Sequence, residues 1–443
     1  MHCTTYQHLL RPSTLQPDTI LEALAALDHV VYLYNHGHPV IACCAEQYTL
    51  VQADQVKNYR ATAFNQYTEV EDDLNLTFCS DRPTSSEHFS GGYIGFIAYD
   101  YAAQQHIKYK QHQQPAMFIG QFSTYLELGQ DGWIFKSTHP DAQDIFQQIQ
   151  SLIEQDQNRL EFSLVSPCTA RWDKARYQQA FDRVQEYIKA GDCYQINLTQ
   201  EFSAQAQGSL LATARAFWTL TNAPYAGYLR IGNFELLSCS PELFIDFEAH
   251  RKIVTKPIKG TMPRFADPVL DEQSKQRLKD SRKDQAENVM IVDLLRNDLS
   301  VYAETGSVKT PKLFNIESFN QVHHMVSEVE ATLKEGVHPF DVLLSALPGG
   351  SITGAPKIRA MQIIEELEGA PRGAYCGSLG YFNFDGTGSW NILIRSIQKY
   401  QDEVSLWAGG GITISSDRDA EYQECFDKVE AMLDLLNTWY KPE

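Results

Sequence analysis

The chain has 443 residues, with 37 Lys and Arg against 56 Asp and Glu, a formal net charge of −19 at pH 7. An apolar content of 43% over this length leaves room for roughly two or three domains with a large buried core, and excludes a disordered tail. The acidic balance argues against nucleic acid and anionic membrane as partners, because each rewards clustered Lys and Arg; a small anionic substrate would need a local reversal of the field. Nine scattered cysteines form no C-x-x-C, so neither a disulfide framework nor a zinc site is indicated. The first residues lack the apolar core of a signal peptide, and no apolar run approaches the ~18 residues of a membrane span, which predicts a cytoplasmic protein.

In chain order, the first half reads as short strands separated by turns: His29 to Asn35, His38 to Cys44, Tyr48 to Ala53, Gly91 to Tyr101, Met117 to Leu128 and Asp131 to Ser137. A helix is expected from about Asp141 to Gln157, and the Pro-containing stretch from Arg159 to Trp172 marks a boundary. Beyond it, Tyr177, Phe181, Val184 and Ile188 recur at helical spacing, closed by Gly191. Cys193 to Phe202 alternates instead; as a strand it puts Gln195, Asn197 and Thr199 on one face and Ile196 and Leu198 on the other. Further strands (Ala226 to Gly232, Phe234 to Ser240, Leu243 to Glu248, Lys252 to Ile258) precede one long helix from about Asp267 to Asn297. Strands and helices mix without a regular βαβ rhythm, which predicts an α+β fold.

Four local features could carry chemistry. On the long helix Asp284 and Glu287 share a face at i and i+3, and on the last helix Glu421, Glu424 and Lys428 cluster beside the apolar stripe Tyr422, Phe426, Val429, Leu433 and Leu436. Two carboxylate pairs on two helices could hold a hard cation such as Mg²⁺ with waters left for a substrate; the plainer explanation is two solvated acidic faces and an i,i+4 ion pair. In the second feature, Ser389 to Gln398 alternates as a strand, with Arg395 on the face of Leu393 and Ile397. A guanidinium there needs an anion, either an internal carboxylate or a ligand. Third come two glycine-rich turns: Gly349, Gly350 and Gly354 lie before a helix that Pro356 can start, and Gly409, Gly410 and Gly411 end a strand. Neither is a nucleotide P-loop, and both could be ordinary tight turns. Finally Lys259, between Ile258 and Gly260 and flanked by two prolines, could be a desolvated nucleophile or base, although most lysines beside a glycine are solvated.

Taken in order, the segments GDCYQINLTQ, SCSPELF, PIKGTMPR, AENVMIVDLLRNDL, VHHMVSEV, GGSITGAPKIRAM, GAYCGSLGYF, SWNILIRS, AGGGIT and AEYQECFDK resemble the chorismate-utilising enzymes, strongly from about Trp172 onward and weakly before it. The resemblance implies two large antiparallel β-sheets packed around a common core with helices outside. Residues 1–165 would be an N-terminal region woven into the same body as a chorismate-binding catalytic domain at 166–443. Glu287 and Glu424 would ligate Mg²⁺, with Asp284 and Glu421 in support through water. Tyr375, Arg395, Gly409, Gly411 and Lys428 would hold the substrate carboxylates, aided by Ser351. His324 would lie near the ring and the departing hydroxyl, and Glu242 would manage protons.

Members of the family differ in what they add to chorismate. Anthranilate synthases carry Ala where this chain has Lys259, and isochorismate and salicylate synthases carry a water-activating lysine where it has Gln195. The resemblance therefore implies amination at C4, the step that leads to para-aminobenzoate and folate, through a covalent adduct of Lys259 at C2. None of the cysteines sits in a nucleophile-elbow context, so ammonia would come from solution or from a glutamine amidotransferase subunit. Two alternatives stand beside this: an anthranilate synthase component I on the same scaffold, and a catalytically silent subunit that only binds an amidotransferase.

Overall fold

A computed structural model describes residues 5–78, 88–110, 112–155, 159–318 and 322–442. Cys3, Cys79 and the last residues of the expected helix over 141–157 lie outside them. Two large sheets organise the described chain, and the strand pairs within them are antiparallel. The larger sheet has the central order Thr124–Gly129, Val40–Cys43, His29–Leu33, Tyr225–Ile231, Phe234–Ser240, Ser396–Tyr400, Glu403–Ile412, Gln195–Gly208. The smaller runs from Ile258–Pro263 through Val322–Thr332, Lys252–Thr255, Leu243–Phe247, Gly388–Asn391, Ser378–Asn383 and Gly92–Ile97 to Pro115–Phe122 and Gln47–Gln52. Both sheets therefore draw strands from early and late in the chain.

The main core lies between the sheets, where Val31, Leu229 and Leu236 of one meet Phe96, Phe118 and Leu379 of the other. A second core backs the larger sheet with helices: Ile20, Ile149, Phe217 and Leu436 pack against Tyr228, Leu237 and Leu406. The third forms where helix Lys174–Ala190 lays Tyr177, Phe181 and Val184 over Ile196 and Leu198. That helix starts where Asp173 accepts a bond from the Arg176 amide and stops at Gly191, whose φ of +83° only glycine adopts without strain.

Five expected elements are interrupted. The long helix is two, Pro268–Asp280 and Arg282–Ser300, because Ser281 takes an extended conformation and its hydroxyl caps the second helix at the Asp284 amide. The last helix likewise divides into Arg418–Asp427 and Glu430–Asn437 around Val429. The stretch Met117 to Leu128 is two strands in different sheets: Phe122 pairs with Gly92 in the smaller, Thr124 with Ser137 in the larger. Gly91 to Tyr101 combines a strand, Gly92–Ile97, with a short helix, Tyr99–Gln104. Pro356 is the residue before helix Lys357–Glu368 rather than its first turn.

Ser389 to Gln398 is also not one strand. Gly388–Asn391 belongs to the smaller sheet and Ser396–Tyr400 to the larger, and Arg395 turns the chain between them with φ +53°. It therefore does not share a strand face with Leu393 and Ile397. A second crossing runs alongside it, from Phe234–Ser240 through Pro241 and Glu242 to Leu243–Phe247. Seven described cysteines are free thiols, and no described helix is long and apolar enough to cross a membrane.

Candidate active site

The two neighbouring crossings leave a cavity of about 430 Å³ walled by Pro241, Glu242, Ile394 and Arg395, by the strand carrying Lys259 and by the strand carrying Gly409 and Gly411. Every residue to which the resemblance gave a catalytic, substrate or metal role by number lines it.

Lys259 lies on the short strand Ile258–Pro263, half-buried, and its Nζ donates to the Ser351 carbonyl oxygen at 3.2 Å. Burial lowers its pKa, and the nearby Lys428 charge adds to the effect against the pull of Glu287, Glu242 and Glu424. Gly260 follows with φ +87°; a Cβ there would fall 2.9 Å from the Asp284 carboxyl carbon, so glycine lets this strand approach the second helix. Glu242 is buried, and loss of hydration pushes its pKa up to about 7 against the opposing effects of Lys259 and a 3.3 Å bond from Ser351 Oγ. His324, on strand Val322–Thr332, is opposite Thr261 in register, with Nδ1 2.8 Å from Thr261 Oγ1. Burial, then the Arg395 charge, lowers its pKa to about 4, so the imidazole is neutral at pH 7.

The cationic side of the cavity is Arg395 and Lys428. Arg395 is open to the cavity rather than sealed among apolar residues, and among the described residues no carboxylate forms an ion pair with it. Of the two anions the sequence allowed, the internal carboxylate is therefore not the one used. Lys428 Nζ donates to the Gly409 carbonyl at 2.8 Å and pairs with Glu424 at 2.6 Å. Tyr375 is buried and stacks on Trp407, ring centroids 6.0 Å apart and 14° from parallel.

The glycine triplet is a close approach on three sides. A Cβ at Gly409 would fall 2.1 Å from the Leu198 carbonyl, one at Gly411 2.6 Å from Gln195 Nε2, and one at Gly410 2.6 Å from Glu421 Oε2 and 3.1 Å from Glu424 Oε1. Carboxylates from helix Arg418–Asp427 thus rest against bare backbone. Glu421 is 4% exposed; its Oε1 accepts from Ser416 Oγ at 2.6 Å while Oε2 has no partner among the described residues. Across the cavity, Glu287 is raised by burial and by the negative charges of Asp284 and Glu424, and Lys283 is 3.9 Å from it. No three described carboxylate, imidazole or thiol groups stand together closely enough to cage a metal unaided.

Among the lining residues, Asn197, Thr261, Lys283 and Trp407 have polar or aromatic side chains to which the sequence assigned no role. Two carried a signal, since Lys283 precedes Glu287 by one helical turn and Thr261 alternates with Lys259 along its strand.

A poorly hydrated amine, a carboxyl group whose pKa burial raises toward neutrality and a guanidinium, Arg395, with no carboxylate partner among the described residues suit an enzyme for a small anionic substrate. The family pattern of chorismate binding enzymes matches residues 28–434, and the chain belongs to that family. It is 40% identical over 372 residues to aminodeoxychorismate synthase component 1 of Klebsiella aerogenes, covering 82% of this chain and 81% of that one. It is 41% identical over 362 residues to the protein of the same name from Escherichia coli K12, covering 80% and 79%. Anthranilate synthase component 1 of Bacillus subtilis is more distant, 32% identical over 442 residues, 92% of this chain and 84% of that one. Among solved structures, anthranilate synthase component I from Streptococcus pneumoniae superposes with a TM-score of 0.75 at 24% identity, covering 89% and 91% of the two chains. MenF, the isochorismate synthase of Escherichia coli, has a TM-score of 0.72 at 17% identity, covering 98% and 94%. These likenesses establish the two-sheet fold.

Proposed function

We propose that this chain converts chorismate and ammonia into 4-amino-4-deoxychorismate and water, acting in the cytoplasm as component 1 beside a glutamine amidotransferase subunit that supplies the ammonia. The observation that carries the reading is the placement of Lys259, an amine of lowered pKa held 3.2 Å from the Ser351 carbonyl in the same cavity as Glu242. The names of the 40%-identical relatives agree with it.

In this reading Lys259 Nζ forms a bond to ring carbon C2 as the two ring double bonds shift and the C4–O bond breaks. Glu242 gives a proton to the hydroxyl, which leaves as water, and takes up the proton the amine then releases; its pKa of about 7 suits both duties. Ammonia then bonds to C4, the double bonds return, and the C2–N bond breaks to free the lysine. His324, neutral and oriented by Thr261, offers a hydrogen bond near the departing hydroxyl rather than a charge. Arg395, Lys428 and Tyr375, with Ser351 and the backbone at Gly409 and Gly411, hold the substrate carboxylates. Gln195 rather than a lysine lies against Gly411, which disfavours the addition of water.

The carboxylates fit a hard cation: Glu421 Oε2 is buried without a partner, and Glu287 and Glu424 face a cavity that otherwise leaves their charges uncompensated except by Lys283, Lys428 and Lys259. Glu287 and Glu424 would hold Mg²⁺, with Asp284 and Glu421 assisting through water, and the ion would anchor and neutralise the ring carboxylate.

The test is to incubate the purified chain with chorismate, Mg²⁺ and ammonium and identify the product by mass and chromatography. Aminodeoxychorismate is expected. Anthranilate would move the chain to its neighbouring branch, isochorismate to another, and turnover of any kind removes the silent-subunit alternative.

A further inference from the structure

Beneath the floor of the cavity lies an ion pair that touches neither the cavity nor solvent. Arg372 and Glu368 are 0% and 2% exposed; Arg372 Nε donates to Glu368 Oε2 at 2.8 Å and its terminal NH₂ to Oε1 at 2.7 Å. The remaining donors go to backbone: one to the Ile352 carbonyl at 3.0 Å, another to the Asn197 carbonyl at 2.7 Å. Glu368 in turn accepts from the Thr199 amide and hydroxyl at 3.0 and 2.8 Å. The guanidinium also lies 5.8 Å from the centre of the Tyr375 ring.

Burying a charge pair for stability alone is a poor bargain, because apolar residues of similar volume do as well or better. What this pair does that apolar residues could not is fix backbone. Ile352 ends the 3₁₀ turn Gly350–Ile352, and the residue before it, Ser351, offers the carbonyl that receives Lys259 Nζ. The same turn is gripped from its far side, where the Asn197 amide donates to the Thr353 carbonyl at 2.8 Å, and from α-helical Leu294, which fills the space a Cβ on Gly350 would need. Arg372 thus holds both the turn and the strand that brace it.

We propose that Arg372, locked by Glu368, is the positioning residue that sets the Ser351 carbonyl and through it the direction of the Lys259 amine. The proposal rests on the reading of Lys259 as nucleophile. A planar fork making four bonds at once has no substitute in a lysine ammonium, so Arg372→Lys keeps the charge and loses the brace.

The experiment measures kcat and KM of ammonia-dependent amination, and the rate at which chorismate loads Lys259 when ammonia is withheld, for Arg372→Lys and for the isosteric Glu368→Gln, each normalised to folded chain by circular dichroism. A loss of about 10- to 100-fold in kcat is expected for Arg372→Lys, with loading slowed to match, because misplacing a reacting group by an ångström costs that much. KM for chorismate should stay within about threefold, since the carboxylate contacts are made elsewhere. Glu368→Gln should move in the same direction by less. An unchanged kcat per folded chain in both variants overturns the proposal, as does a KM that rises in proportion to the loss. Lys259→Ala in the unaltered chain separates the two ideas: wild-type C4 amination by that variant would remove the nucleophile, whatever Arg372 does.

Discussion

Lys259 Nζ is 3.2 Å from the carbonyl oxygen of Ser351, whose own hydroxyl donates to Glu242 at 3.3 Å. Backbone and side chain of one serine therefore contact both the amine proposed as nucleophile and the carboxyl group proposed as proton carrier.

Lys259→Ala is expected to lower aminodeoxychorismate formation by at least about 10³-fold, the scale of removing a covalent nucleophile. Residual turnover should yield anthranilate, since the alanine reproduces what that branch of the family carries. Product analysis by mass and chromatography checks both statements.

The pH dependence of kcat/KM should be a bell. The proposed attack needs Lys259 deprotonated, and burial, then Lys428, place its pKa below the ordinary 10.5, so one limb of the bell lies below 10.5. In the proposed step Glu242 carries a proton for the departing hydroxyl, and burial puts its pKa at about 7, so the other limb lies near that value. Glu242→Gln cannot ionise; it should lose the limb near 7 and about 10²- to 10⁴-fold in rate.

Glu424→Gln is expected to abolish activity or raise the Mg²⁺ needed for half-maximal rate by about 10- to 100-fold, as loss of a metal ligand does. A fully active variant with unaltered Mg²⁺ dependence would refute the ligand assignment.

Gly410→Ala tests the same ion from the backbone side. Its Cβ would lie 2.6 Å from Glu421 Oε2 and 3.1 Å from Glu424 Oε1, so both carboxylates must retreat. About a tenfold higher Mg²⁺ requirement is expected with a near-normal melting temperature, read by a metal titration of rate and a thermal melt.

Much of the site was legible because its chemistry is local in sequence. Lys259 beside a glycine, the carboxylates at helical spacing and the glycine triplet each fit a ten-residue window, but each alone also had a plainer explanation, and only the ordered resemblance of the segments made them one site. What periodicity could not give was the path between sheets. Arg395 sits in an alternating segment that reads as one strand, and only tertiary packing makes residue 395 a left-handed corner on the path between the two sheets. Ser281 and Val429 interrupt two expected helices, because a cap or an irregular residue can end a helix without leaving a mark in the hydrophobic period. Arg372 and Glu368 were invisible as a pair with a purpose. Their i,i+4 spacing is commonplace, and their partners, Ile352 and Asn197, are backbone atoms far away in the chain.

The most direct test of the account is to mix the chain with chorismate and Mg²⁺ while withholding ammonia, quench, and map the peptides by mass. The peptide containing Lys259 should carry chorismate less one water, and the label should discharge as aminodeoxychorismate when ammonium is added. Steady production of aminodeoxychorismate from ammonium, with Lys259 unmodified at every time point and Lys259→Ala equally active, would contradict it.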